Sequence, residues 1–116
     1  MRVAALCLTL ASMPGQAGAM TAEGLLDQCI DRIADSQDEP VERAYCAGFM
    51  RGAIDSWRIA VELGGRAHFC LPDQGVTVGD AVVLLGRFVE ANEASARMPA
   101  AAVLLVALRR AYPCED

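Results

Sequence analysis

His68 and Cys70 are the two residues in this chain whose types and spacing could support covalent chemistry, since an imidazole beside a thiol can generate a thiolate nucleophile. The competing use of Cys70 is a disulfide, which leaves no thiolate and makes His68, the only histidine, a plain loop residue. Other catalytic signals do not support the first use. The chain has no G-x-S-x-G elbow, no phosphate-binding glycine loop and no dinucleotide fingerprint. No C-x-x-C or H-x-x-x-H pair suggests zinc. The expectation is a protein that is not an enzyme and uses neither cofactor nor metal.

Two further groups have the chemistry of contact surfaces. Asp35, Asp38, Glu39 and Glu42 form an acidic cluster, read either as a partner-binding edge or as a metal site. Carboxylates before a helix start are also favoured by the helix dipole alone. Leu71-Pro72-Asp73-Gln74-Gly75 follows Cys70 directly, so a disulfide there would order the loop before any partner arrives. The candidate partner-binding residues are therefore Asp38, Glu39, Pro72, Asp73 and Gln74.

The start of the chain reads as a secretion leader over residues 1–19. Arg2 supplies the charge, residues 3–13 the apolar run, and Ala17-Gly18-Ala19 an A-x-A cleavage site. That run is shorter than the roughly 20 residues needed to span a bilayer. The mature domain, residues 20–116, is expected to have no membrane span. Cleavage removes one Arg and no acid, leaving nine Arg against fifteen Asp and Glu, a formal charge of −6. An acidic surface argues against nucleic acid and for a basic protein partner.

Cysteine use agrees with export. Once Cys7 leaves with the leader, Cys29, Cys46, Cys70 and Cys114 remain, an even number in a small exported domain, and this reads as two disulfides. Four cysteines allow three pairings, and loop entropy separates them by only about 1 kcal/mol. Helix geometry discriminates better. Cys29 stands near the end of one predicted helix and Cys46 near the start of the next, each about 8–9 Å from the turn of an antiparallel hairpin. Cys70 precedes a third helix and Cys114 follows a fourth, so an antiparallel pair brings them to the same end. The expected bonds are Cys29–Cys46 and Cys70–Cys114.

These residues must be positioned by helices. Alanine is abundant, and aromatic residues make up 5% of the chain, a composition that favours helix over sheet. The apolar spacing predicts four helices. The first spans about 22–34, capped by Thr21, with Leu25, Leu26, Cys29, Ile30 and Ile33 as its stripe. A second spans about 40–63, started by Pro40 and stopped by Gly64-Gly65, broadly apolar through Tyr45, Phe49, Ile54, Trp57 and Val61. Gly48 and Gly52 cost that helix about 1 kcal/mol each relative to Ala, so close packing of a neighbouring helix is expected there. After an irregular stretch over 66–76, Thr77 and Asp80 form a capping box for a third helix that buries Val78, Ala81, Val82, Leu85, Phe88 and Val89. Residues 92–95 read as a linker. A last helix over about 98–111, with Val103, Leu104, Leu105, Val106 and Leu108, is expected to be buried on several sides. The fold class is all-α, a small four-helix or slightly elaborated domain stapled by two disulfides.

Three segments, in order, resemble the Tai/Rap family of immunity proteins. They are Tyr45-Cys46-Ala47-Gly48-Phe49-Met50-Arg51-Gly52 with Asp55; Cys70-Leu71-Pro72 leading to Gly75-Val76-Thr77-Val78-Gly79; and Ala107-Leu108 before Ala111-Tyr112-Pro113-Cys114. Known members are periplasmic and neutralise peptidoglycan amidases delivered by type VI secretion systems. The resemblance implies a helical protein without catalysis that occludes an amidase effector's substrate groove, often as a homodimer. Two other readings are a small periplasmic helical chaperone, whose carboxylates would titrate on acidification, and an envelope housekeeping protein without a toxin partner.

Overall fold

A computed structural model of the protein describes residues 18–34 and 40–115, with side-chain environments at 18–29 and 44–115. Four helices follow one another: α1 (Ala22–Ala34), α2 (Pro40–Glu62), α3 (Val78–Ala91) and α4 (Ala100–Ala111). Both expected disulfides are present, Cys29–Cys46 and Cys70–Cys114. The stapled all-α class is confirmed.

Local chemistry explains where each helix begins and ends. At α1 the Thr21 hydroxyl accepts the Gly24 N–H at 3.2 Å, satisfying one of the free amides of the first turn. At α3 the Asp80 N–H donates to the Thr77 hydroxyl at 3.0 Å and the Thr77 N–H to the Asp80 carboxylate at 3.2 Å, a reciprocal capping box. The end of α2 is a Schellman turn. Gly65 N–H donates to the Ala60 carbonyl and Gly64 N–H to the Val61 carbonyl, while Gly64 adopts φ +95°. Both glycines are needed there, because a Cβ on Gly65 would stand 2.6 Å from the Ala60 carbonyl oxygen.

α1 lies at the centre and packs on each of the other three helices. Its Ala22, Leu25, Leu26 and Cys29 are buried, as expected; Ile30 and Ile33 lie outside the residues whose side chains are described. α3 contributes Ala81, Val82 and Leu85, and α4 contributes Val103, Leu104 and Leu108. The start of α1 is also tied to the start of α4. Ala22 N–H donates to the Met98 carbonyl at 2.9 Å and Ala100 N–H to the Met20 carbonyl at 2.7 Å.

Four expectations need correction. Residues 92–95 are no open linker: Glu93–Arg97 form a 3-10 turn, in which the buried Ser95 hydroxyl donates to the Asn92 carbonyl at 2.6 Å. α4 accordingly begins at Ala100 and not near Met98, because Pro99 takes the N-cap position and Met98 closes the 3-10 turn. α4 is also one-sided, since Val106 is exposed. Finally, Gly48 and Gly52 face outward, and among the described residues nothing lies within 4 Å of where a Cβ would stand on either. No described helix packs into them. Gly48→Ala and Gly52→Ala should therefore each raise stability, by about 1 kcal/mol from helix propensity. Urea unfolding checks this, and a loss of stability in either variant would show that the glycines support the folded monomer.

α2 overhangs the rest of the domain. It has 23 residues against 13 in α1, and the Cys29–Cys46 bond sets those two positions level. Seven residues run from Cys29 back to Ala22, so α2 passes the start of α1 near Ala53. The last buried residue of α2 is Ile54; Trp57 is half-buried, and Ile59, Val61 and Leu63 are exposed.

Candidate functional site

Below the overhang of α2 lies an open groove of about 710 Å³, closed on its other side by the irregular segment after Gly65. Hydrophobic packing holds the walls together. Trp57 and Phe69 meet edge to face with ring centroids 5.4 Å apart, a favoured geometry for aromatic pairs. Phe69, Leu71 and Val76 rest against the core. Arg58, Glu62, Arg66 and His68 line the polar part.

The loop that forms this wall is restrained at three points. Cys70 is bonded to Cys114, and its N–H donates to the Tyr112 carbonyl at 2.9 Å. Two residues further on, Gly75 N–H donates to the Pro72 carbonyl at 2.8 Å, closing a tight turn over residues 72–75. Gly75 adopts φ +77°, which glycine tolerates without a Cβ penalty. Pro72 and Asp73 stand on the groove rim, and the side chains of Asp73 and Gln74 are exposed at the tip. Three of the five candidate contact residues thus fall in one restrained turn. Asp38 and Glu39, like Asp35, lie outside the described residues, as does the side chain of Glu42.

The arrangement has no nucleophile at His68. That residue is exposed on the groove wall, but the neighbouring Cys70 sulfur is committed to Cys114. Among the described residues no three His, Cys, Asp or Glu side chains gather as a metal site, and no helix is long and apolar enough to cross a membrane. Sequence reasoning missed Trp57, Arg58, Arg66 and Phe69 as groove residues. The available signal was the length mismatch between the first two helices, which leaves the end of α2 with no α1 to cover it.

The domain is small, helical and stapled by two disulfides, and it presents a restrained surface turn beside an open groove. Its sequence matches the family of Rap1a immunity proteins over residues 21–114. The chain belongs to that family, and so is an immunity protein directed against a secreted effector. Searches of curated proteins and of solved structures find no match.

Proposed function

We propose that the protein is exported to the periplasm, loses its leader after Ala19, and there binds a peptidoglycan amidase delivered by type VI secretion. It acts as a non-enzymatic inhibitor that occludes the amidase's substrate groove. The observation that carries this reading is the family match over residues 21–114, nearly the whole mature domain.

The restrained turn supports it physically. Amidases of this kind use a cysteine and a histidine in an open groove, and a blocker must fill that groove with a rigid protrusion. Residues 72–75 meet this requirement. Disulfide, turn hydrogen bond and aromatic packing order them before binding, so little conformational entropy is lost on association. Asp73 and Gln74 provide the exposed polar contacts, and Asp38 with Glu39 a second acidic edge. The complex is one-to-one or two-to-two.

The test is co-purification with a type VI peptidoglycan amidase, any such enzyme encoded beside this protein being the first choice, scored also by survival of cells in which that amidase is sent to the periplasm. A stable complex and full rescue are expected. Asp73→Arg, or Asp38→Lys with Glu39→Lys, should weaken binding roughly 3–10-fold with unchanged helicity, and wild-type affinity should fall as salt rises. The absence of both complex and rescue would remove the immunity reading and leave the chaperone or housekeeping role.

A further inference from the structure

The two disulfides differ in access. Cys29 and Cys46 are 2% and 6% exposed and belong to the core. Cys70 is exposed and Cys114 half-buried. Of these four cysteines, Cys70 is the one that lines the open groove, beside Trp57, Phe69, Arg58, Arg66 and His68. Energy does not rank the bonds, because spans of 17 and 44 residues make similar contributions to stability. Access does, since exchange requires a thiolate to reach a disulfide sulfur.

We propose that Cys70–Cys114 is a thiol-exchange site, opened through the groove by a small anionic thiol about the size of a tripeptide. The incoming thiolate attacks the Cys70 Sγ. The bond to Cys114 breaks as the new sulfur–sulfur bond forms, and Cys114 leaves as a thiolate that takes a proton from water. The attacking sulfur is oxidised to the disulfide level and the Cys114 sulfur is reduced, so no further oxidant or reductant takes part. The product carries the small thiol on Cys70, in the groove, and a free thiol at Cys114.

Volume and charge both suit that reagent. The groove of about 710 Å³ falls within the roughly 300–1,000 Å³ usual for small-molecule sites. The chain is acidic overall, with a formal net charge of −5, and most of its surface would repel an anionic thiol. In the groove Arg58 and Arg66 offset Glu62 and Asp73, so the repulsion is locally relieved. The Trp57–Phe69 pair gives the apolar part of the adduct a wall to rest on.

Exchange has a mechanical result. The bond is the covalent tie between the groove loop and the end of α4. Breaking it leaves the Cys70 N–H to Tyr112 carbonyl hydrogen bond and the packing of Phe69, Leu71 and Val76 on the core. The helices keep that core and the Cys29–Cys46 bond, so the turn over residues 72–75 loosens while the domain stays folded. That this loosening lowers inhibition rests on the immunity reading above. The exchange itself does not, and it is tested without the amidase.

Native protein incubated with glutathione, quenched with N-ethylmaleimide and mapped by peptide mass spectrometry should carry glutathione on Cys70 and maleimide on Cys114. These labels should form at least about tenfold faster than any on Cys29 or Cys46, whose exchange awaits opening of the core. Arg58→Glu combined with Arg66→Glu should slow glutathione roughly 3–10-fold more than it slows the neutral thiol 2-mercaptoethanol. In the adduct the Gly75 N–H, bonded to the Pro72 carbonyl in the intact turn, should lose hydrogen-exchange protection while the amides of α1 keep theirs. An unreacted Cys70–Cys114 bond would overturn the proposal. So would labelling of Cys29 and Cys46 as fast as Cys114, glutathione on Cys114 in place of Cys70, or a charge variant that slows both thiols equally.

Discussion

Replacing Cys70 and Cys114 together with alanine is expected to lower the melting temperature by roughly 15–30 °C. The bond closes a span of 44 residues, worth about 4 kcal/mol in the chain-entropy description, and each kcal/mol moves a domain of this size by about 4–8 °C. Cys70 is exposed and Cys114 half-buried, so little cavity cost is added. The local consequence is more specific. Without the bond, the Cys70 N–H to Tyr112 carbonyl contact is the hydrogen bond left tying the loop to the end of α4. At temperatures where the helices persist, the turn over residues 72–75 should lose its anchor, and affinity for the amidase should fall with it. Circular dichroism melts paired with a binding titration separate the two effects. Wild-type affinity in the folded double variant would show that the turn is not the contact.

The other bond provides the contrast. Cys29–Cys46 spans 17 residues, about 3 kcal/mol by the same description, but both sulfurs are buried. Removing them adds roughly 1 kcal/mol for each vacated site. Its loss should therefore cost about as much in total while leaving the turn's anchor in place.

Leu25→Ala should remove about 3–5 kcal/mol, a large share of the roughly 5–15 kcal/mol that holds a domain of this kind folded. Leu25 is fully buried on α1, the helix that packs on all the others. The cavity would open in the core that α1 shares with the other helices, with little freedom for any one of them to collapse into it. Val106→Ala is the matched control, because Val106 is an exposed position on α4 and should cost within about 0.5 kcal/mol. Urea unfolding with an unchanged denaturant slope reads both values. If Leu25→Ala cost no more than Val106→Ala, α1 would not be the centre of the core.

Much of the fold is legible because its signals are local. Thr21, Thr77 with Asp80, and Gly64 with Gly65 mark helix ends through hydrogen bonds that close within five residues, so those boundaries follow from spacing alone. The disulfide pairing is legible for a related reason. Helix rise converts sequence distance from a turn into height, and only one pairing sets the sulfurs level without stretching the chain. The 3-10 turn at Glu93–Arg97 is not legible, because polar residues such as Asn92 and Ser95 suit a loop equally well, and its hydrogen bonds add no apolar periodicity.

By itself, then, the sequence determined that this is an acidic helical domain with two disulfides, and its three ordered motifs alone point to an immunity family. Which faces are covered was decided only by tertiary structure. Gly48 and Gly52 show the difference most clearly: paired glycines in a helix indicate close approach, but not by which helix, and α1, α3 and α4 all lie on the opposite side of α2. The groove had the same origin. Trp57, Arg58, Arg66 and Phe69 carry no shared motif and meet because α2 is ten residues longer than α1. Burial depends on the relative lengths and placement of elements distant in sequence, and periodicity within one helix records that a face is apolar without recording what, if anything, covers it.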